Sequence, residues 1–198
     1  MNCTKCPNLC SSRSQIVLPD FYSCSIEEKI LVIGEAPGAK EDSIGSGFQG
    51  IAGKNLDELF RMFNLVRKRD YLCANTVWCR PPNNRKPTKS ELVNCAPHLT
   101  QLIENSRPTA IVTVGAVAWN HFVPNNRDNL ETVIENFLEQ SHFAIFYSSR
   151  SSTKQIPLVP LPHTSPLCWY RYSNKGDKWS DLGRECLSHA LQLIEKSR

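Results

Sequence analysis

A glycine-rich loop carries acidic side chains and one aromatic ring directly after an apolar segment. Residues 34–53 read GEAPGAKEDSIGSGFQGIAG and follow the apolar run 29–33, which predicts a buried strand leading to one edge of a sheet. The side chains that could contact a ligand there are Glu35, Glu41, Asp42 and Phe48. Six glycines allow the backbone to approach a flat ligand closely. We expect no helix or strand inside this loop, and its length favours a pocket for a planar polar molecule such as a nucleobase.

Two further loops follow predicted strands and add an amide, two guanidinium groups and an imidazole. Residues 70–78 and 155–161 are typical of strands, and they lead into the polar, proline-rich loops 79–87 and 162–167. The added side chains are Asn75, Arg80, Arg85 and His163. An amide can pair with the edge of a base, an aromatic ring can stack on it, and an imidazole can bond a carbonyl oxygen. This set therefore suits a base.

The cysteines indicate a metal site. The chain has nine, of which Cys3 and Cys6 form a C-x2-C pair followed by Cys10, and Cys79 and Cys95 are the next plausible partners. Four thiolates from these two regions could hold a tetrahedral zinc ion or a [4Fe-4S] cluster, and spacing alone does not choose between them. We interpret the other four as small buried apolar residues: Cys24, Cys73, Cys168 and Cys186.

The remaining pattern alternates strands with amphipathic helices. A capping box at Thr88 and Glu91 opens a helix with Cys95 on its inner face. Other predicted helices cover 54–65, 116–122, 129–140 and 180–196, and other predicted strands cover 109–114 and 142–147. This order predicts an α/β fold with a mostly parallel sheet covered on both faces, with its ligand beyond the carboxyl ends of the strands.

Length and composition favour one domain over residues 1–198, in which residues 1–25 form a metal-stapled N-terminal segment. No stretch is long and apolar enough to predict a membrane span, and the first residues lack the apolar core of a secretory signal. We therefore expect a cytoplasmic protein, and we expect it to be monomeric. The net charge of +4 permits binding to nucleic acid without requiring it.

Several motifs in one order resemble the uracil-DNA glycosylase superfamily. They are GEAPGxxED from Gly34, GxxFxGxAG from Gly45, NxVxCRPP from Asn75, HxSP from His163 and the CxxC at Cys3. The pattern is most similar to the iron–sulfur branch called family 4, and it covers nearly the whole chain. The resemblance implies a three-layer α/β/α fold with a central, mostly parallel four-stranded sheet. It also implies a [4Fe-4S] cluster held by Cys3, Cys6, Cys79 and Cys95, with Cys10 as the first substitute.

The resemblance further implies that the protein flips a pyrimidine nucleotide out of DNA and hydrolyses its N-glycosidic bond. In that scheme Phe48 stacks on the base, Asn75 contacts its edge, and His163 stabilises the base anion at O2. Glu35 orients water or screens the sugar cation, and Glu41 acts in catalysis or shapes the pocket near C5; a structural carboxylate is an equal alternative for Glu41. The remaining substrate contacts are expected from Gly34, Ala36, Asp42 and Gln49.

The DNA strand should be held along the same edge while the nucleotide is extruded. The expected contacts are Arg80, Arg85, Ser165, Leu167 and Arg171. Leu167 follows Ser165-Pro166. Its similarity to the equivalent leucine of the related family-1 enzymes implies that it wedges into the gap left by the flipped base.

Four positions depart from the family pattern. Gly47 and Gln49 flank Phe48 where Pro and Val are usual, Thr164 replaces a proline after the histidine, and Trp78 replaces a lysine before Cys79. A wider and more polar pocket would also suit a glycosylase that removes a bulky modified cytosine, such as glucosylated hydroxymethylcytosine, from phage DNA in defence. A third hypothesis is a metal-containing DNA-binding module without catalytic activity.

Overall fold

A five-stranded sheet forms the centre of the molecule. The computed structural model describes residues 2–20, 29–139, 145–148 and 155–196. The strands are β1 (Ile30–Gly34), β2 (Tyr71–Asn75), β3 (Ala110–Val114), β4 (Ile145–Ser148) and β5 (Gln155–Leu161). Their order is β2-β1-β3-β5-β4, with β2, β1, β3 and β5 parallel and β4 antiparallel at the edge. The predicted four-stranded parallel sheet is thus confirmed, and β4 adds a fifth strand.

Helices cover both faces because successive strand residues point to opposite sides. The helices are α1 (Pro7–Ser12), α2 (Ala39–Ile44), α3 (Ile51–Arg61), α4 (Lys89–Ser106), α5 (Ala116–Phe122), α6 (Leu130–Glu139), α7 (Pro166–Trp169) and α8 (Trp179–Lys196). On one face Ile30 and Val32 pack with α3, α6 and α8. On the other face Leu31 and Ile33 pack with α4 and α5. The result is the predicted three-layer α/β/α arrangement.

The loop after β1 contains regular structure, so the expectation of a loop without helices is wrong. Helix α2 lies inside it, and α3 begins at Ile51, earlier than the pattern suggested. Glu41 stabilises the start of α2 by accepting the Gly38 N–H at 3.1 Å. The predicted capping box of α4 is confirmed, since Thr88 and Glu91 exchange side-chain-to-backbone hydrogen bonds.

The N-terminal segment packs along the rest of the protein. It includes α1, which the sequence pattern did not predict. Val17 donates its N–H to the Trp78 carbonyl at 2.8 Å, and Leu18 forms a bridge with Ser46. The last part of the expected 1–25 segment, including Cys24, lies outside the described residues. So do residues 140–144, which include the start of the predicted strand 142–147. In the described part of the chain, no helix combines the length and apolarity needed to cross a membrane.

Candidate functional site

A cavity of about 490 Å³ opens at the carboxyl ends of the parallel strands. Its walls include six of the predicted substrate or catalytic residues from the first two strand ends: Gly34, Glu35, Ala36, Glu41, Phe48 and Asn75. The later loops contribute four more predicted residues: Arg85, His163, Ser165 and Leu167. Asp42, Gln49, Arg80 and Arg171 lie outside this wall. The sheet edge therefore brings together side chains that are distant in sequence.

His163 is held as a neutral hydrogen-bond donor. The Ser165 N–H donates to its Nδ1 at 3.0 Å, so the proton of the neutral ring resides on Nε2. Burial, and then the charge of Lys86, lower the pKa of His163 below its ordinary value. Nε2 has no hydrogen-bond partner in the described part of the chain, which leaves its N–H available to a ligand in the cavity. Gly115, at φ +87°, packs against this ring, since a Cβ there would lie 2.8 Å from Cδ2.

Asn75 and Phe48 meet over Gly34. A Cβ at Gly34 would lie 2.6 Å from Asn75 Oδ1 and 2.7 Å from Phe48 Cζ, so only glycine leaves both groups in place. Asn75 is 5% exposed, and its side-chain amide makes no hydrogen bond within the described residues. A buried amide without an internal partner costs free energy unless a ligand or water satisfies it. This arrangement can present one ring face, one donor and one acceptor to a planar ligand.

Glu35 provides a half-buried carboxylate in the same wall. Its backbone is fixed because its carbonyl accepts the Thr76 hydroxyl at 2.6 Å and the Val77 N–H at 3.2 Å. Burial raises the pKa of Glu35, and the positive charge of Lys86 partly opposes this rise. The carboxylate has no hydrogen-bond partner among the described residues, so it remains free to act on water or on positive charge.

Glu41 has a visible structural task. One carboxylate oxygen accepts the Gly38 N–H, and the other accepts the N–H groups of Gln49 and Gly50 at 2.9 and 2.7 Å. The carboxylate therefore ties the start of α2 to the backbone on the far side of Phe48. This geometry favours the structural interpretation of Glu41, although the residue also lines the cavity.

Replacing Glu41 with glutamine should destabilise the fold. The amide NH2 would face a backbone N–H, so one or two hydrogen bonds would be lost at a cost of roughly 1–3 kcal/mol. Thermal unfolding should show Tm lower by roughly 2–4 °C per kcal/mol. Glu195→Gln, an exposed change on α8, is the matched control. An unchanged Tm in Glu41→Gln would contradict the structural role.

The side chains of Asp42 and Gln49 form hydrogen bonds within the protein, away from the cavity wall. Asp42 is 2% exposed, and its carboxylate accepts the Ser14 N–H at 2.9 and 3.0 Å, which fastens the N-terminal segment. The Gln49 amide donates to Ser46 Oγ and to the Gly47 carbonyl. We therefore assign both side chains to the scaffold rather than to the substrate contact that the sequence suggested.

The expected DNA contacts divide into rim and surface positions. Leu167 lies at the start of α7 on the cavity rim and is 76% exposed. Arg85 forms a two-pronged ion pair with Glu91 at 2.6 and 2.9 Å. Arg80 donates to the Asn84 side chain, and Arg171 is exposed beyond α7. A large apolar side chain exposed on the rim is the geometry that a wedge requires.

The predicted metal ligands lie in one region between the N-terminal segment and the start of α4. Cys6 and Cys95 pack with Cys79 against Leu9, and Arg13 bridges the Cys3 carbonyl and Cys79 Sγ. Cys10 belongs to the same region, with its thiol 3.6 Å from the Cys3 carbonyl. As the described side chains stand, no three His, Cys, Asp or Glu residues form a group that could hold a metal ion.

Two polar side chains point at these thiols. Arg13 donates to Cys79 Sγ at 2.8 Å and to the Cys3 carbonyl at 2.7 Å, and Asn94 donates to Cys6 Sγ at 3.4 Å. Hydrogen-bond donors of this kind surround sulfur atoms that carry negative charge. The donor set of thiols alone is the chemistry that suits iron–sulfur clusters and zinc.

Sequence reasoning missed one group that shapes the cavity. Arg67 donates to the carbonyls of Gly47 and Phe48 while it pairs with Asp20. No local pattern links these positions, because the contact depends on how three separate segments pack.

The family of the chain follows from comparison with known proteins. A family model described as the uracil DNA glycosylase superfamily matches residues 21–184. The chain therefore belongs to this superfamily, as the motif order suggested.

Curated relatives extend this assignment to the family 4 branch. A Type-4 uracil-DNA glycosylase of Thermotoga maritima is 39% identical over 134 residues, which cover 68% of this chain and 67% of the relative. A protein of the same name from Archaeoglobus fulgidus is 40% identical over 118 residues, covering 60% and 57%. A third, from Saccharolobus solfataricus, is 39% identical over 105 residues, covering 53% and 49%. The matches thus span about half to two thirds of these relatives.

Proposed function

We propose that this protein is a DNA glycosylase that accepts a pyrimidine nucleotide flipped out of DNA, with uracil as the default base, and leaves an abasic site. The observation that carries the proposal is the shared cavity of Glu35, Phe48, Asn75 and His163. Among the described residues, the Asn75 amide, the Glu35 carboxylate and the His163 Nε2–H have no hydrogen-bond partner. The type-4 names of the relatives support the same activity.

Base recognition follows from the groups on the wall. The Phe48 ring stacks on the base, and the Asn75 amide donates to one atom of its edge and accepts from the neighbouring N–H. Uracil presents such an acceptor and donor side by side at O4 and N3. Each unsatisfied group on the protein thereby gains a partner, which favours this base over an apolar ring.

Cleavage separates charge along the N-glycosidic bond. The bonding electrons leave with the base, so negative charge collects at O2 and positive charge at the sugar C1′. His163 Nε2–H donates to O2 and stabilises that anion without transferring a full positive charge to the pocket. The Glu35 carboxylate stabilises the sugar cation and orients the water that attacks C1′. The proton that this water loses passes to Glu35 and then to solvent.

The enzyme is proposed to be monofunctional. No lysine lies in the cavity wall as formed by the described residues, so no amine is available there to attack C1′ in place of water. Leu167 would fill the gap in the duplex, while Ser165, Arg80, Arg85 and Arg171 would contact the backbone. For Arg85 this requires sharing its guanidinium with Glu91.

The proposal is tested with two DNA substrates. One contains uracil and the other contains glucosylated hydroxymethylcytosine, and free base is measured by chromatography. We expect uracil release, with strand breaks only after alkali treatment. Release of the modified cytosine alone would favour the glycosylase that acts in defence against phage. The structure lends that hypothesis less support, because the Gln49 amide bonds to Ser46 and Gly47 and does not extend into the cavity. Tight DNA binding without release of either base would support the non-catalytic module.

We infer that Cys3, Cys6, Cys79 and Cys95 hold a [4Fe-4S] cluster. The support is the donor set of thiols alone, contributed by the N-terminal segment, the loop after β2 and α4. Arg13 and Asn94 are directed at the sulfur atoms. When bound, such a cluster would link the N-terminal segment to the loop that follows β2, the strand that ends at Asn75. This is a structural role.

Metal analysis of cysteine variants tests this inference. Anaerobically purified protein should contain iron and inorganic sulfide in equal amounts and absorb visible light. Cys95→Ser should lose the iron, and Cys10→Ser should retain it. If Cys10→Ser lost the iron and Cys95→Ser retained it, Cys10 would replace Cys95 in the proposed ligand set. A colourless protein with stoichiometric zinc would refute the cluster.

The rate of base release should depend on pH through Glu35 and His163. Activity requires ionised Glu35 and neutral His163, so it falls on the acid side as either group gains a proton. Lys86 lowers the pKa of both groups. Lys86→Met should therefore move the acid limb of the single-turnover rate to higher pH at low salt. Lys89→Met, which removes a nearby exposed lysine, should leave the acid limb at its wild-type pH. An acid limb at the same pH in both variants would contradict this electrostatic coupling.

A further inference from the structure

The backbone on either side of the Phe48 ring is held by one guanidinium group. Arg67 Nη2 donates to the Gly47 carbonyl at 2.6 Å, and Nη1 donates to the Phe48 carbonyl at 3.2 Å. The same guanidinium lies over the Phe48 ring, with Cζ 6.0 Å from the ring centroid. Arg67 therefore contacts the stacking residue through its backbone and its ring at once.

The guanidinium is itself fixed by a buried carboxylate. Arg67 Nε and Nη2 donate to Asp20 at 2.7 and 2.9 Å, and the two side chains are 13% and 3% exposed. Asp20 also accepts the Cys73 N–H at 3.0 Å, which connects the pair to β2. A rigid strand thus determines the position of the guanidinium, and the guanidinium determines the position of the loop.

The loop needs such support because its conformation is strained. Phe48 has φ of 56°, in the left-handed region that non-glycine residues seldom adopt. Its carbonyl packs so closely on Gly53 that a Cβ there would lie 1.9 Å from the oxygen. Without the two hydrogen bonds from Arg67, relaxation of this backbone would turn the ring away from the cavity.

We propose that Arg67, held by Asp20, is the positioning residue that aims the Phe48 ring at the flipped base. The inference rests on the proposed function. Arginine is required because its planar fork makes four hydrogen bonds in different directions. A lysine ammonium keeps the charge but cannot reach the carboxylate and both carbonyls together.

The proposal predicts a specific pattern in a double-mutant cycle. Arg67→Lys should weaken inhibition by free uracil and raise KM for uracil-containing DNA by about tenfold, within the range of base stacking, with a smaller change in kcat. In a Phe48→Leu background the same change should cost less than about twofold, since the ring it positions is absent. Equal losses in both backgrounds would overturn the proposal.

Two controls separate positioning from general damage. Arg69→Lys alters an exposed arginine paired with Asp70 at 2.8 Å, and it should leave KM, kcat and uracil inhibition unchanged. If Arg67→Lys does not fold, Asp20→Asn provides the second test, because it removes the two-pronged partner and should give the same cycle with Phe48→Leu. Additive losses in that cycle would also overturn the proposal.

A spectroscopic measurement distinguishes failure of this inference from failure of the proposed function. 4-Fluorophenylalanine placed at position 48 reports the environment of the ring by ¹⁹F NMR without any substrate. Arg67→Lys should shift or broaden the resonance, and Arg69→Lys should not. A shifted resonance in a protein that releases no base would sustain the positioning role and reject the glycosylase, whereas an unchanged resonance would reject the positioning role whatever the activity.

Discussion

His163→Ala is expected to lower the single-turnover rate of uracil release by about 100- to 1,000-fold, the usual effect of removing one preorganised donor to a developing anion. The Ser165 N–H fixes the ring tautomer, and burial lowers the pKa of His163, so the wild-type residue meets the base as a neutral donor. The substitution removes that donor while base stacking on Phe48 remains. KM should therefore change much less than kcat, and quenched-flow measurement of released uracil would show the difference.

His121 provides the matched control for this prediction. Burial also lowers its pKa, but it lies on α5 outside the cavity wall. His121→Ala should leave the chemical rate within about twofold of wild type, within the small effects typical of changes away from a site. A His163→Ala rate equally close to wild type would mean that another group stabilises the departing base.

Gly34→Ala is expected to reduce kcat/KM by roughly 10- to 100-fold, because displacing substrate-contacting groups by about 1 Å can cost that much. The added methyl would lie 2.6 Å from Asn75 Oδ1 and 2.7 Å from Phe48 Cζ, so the amide and the ring cannot both keep their places. Overpacking of this buried strand end should also cost about 1–3 kcal/mol of folding free energy. Kinetics and chemical denaturation together separate the two effects.

Gly47→Ala is the control for the added methyl. Among the described residues, its Cβ would meet only Asn75 Nδ2 at 3.7 Å and Val17 Cγ1 at 4.0 Å, which are ordinary contacts. We expect kcat/KM within about threefold of wild type, since no group is displaced. If Gly34→Ala were as active as Gly47→Ala, the close approach of ring and amide over Gly34 would not matter for the substrate.

Much of the fold could be predicted because hydrophobic periodicity reports directly on burial. The runs that form β1, β3 and β5 alternate with amphipathic helices, and the capping box marks the start of α4. Helix α2 escaped this reasoning, since it has only six residues and its start is stabilised by Glu41. That carboxylate also binds backbone on the far side of Phe48, which local sequence does not reveal.

The candidate site was predictable as a set of residues more than as a set of contacts. Strand ends and motif order placed Glu35, Asn75 and His163 at one edge of the sheet, and all three line the cavity. The direction of a loop side chain depends instead on distant partners. Asp42 meets the N-terminal backbone, and Arg67 reaches Phe48 only because Asp20 packs beside β2.

The central claim is that one extruded pyrimidine touches Phe48, Asn75 and His163 together. A crystal structure with DNA containing 2′-fluoro-2′-deoxyuridine tests it most directly, because the fluorine disfavours positive charge on the sugar and keeps the bond intact. We predict the base stacked on Phe48, its O4 and N3 edge on the Asn75 amide, and O2 within hydrogen-bonding distance of His163 Nε2. A uracil that stays in the duplex would contradict the account. So would a flipped uracil that cannot contact both His163 and Asn75.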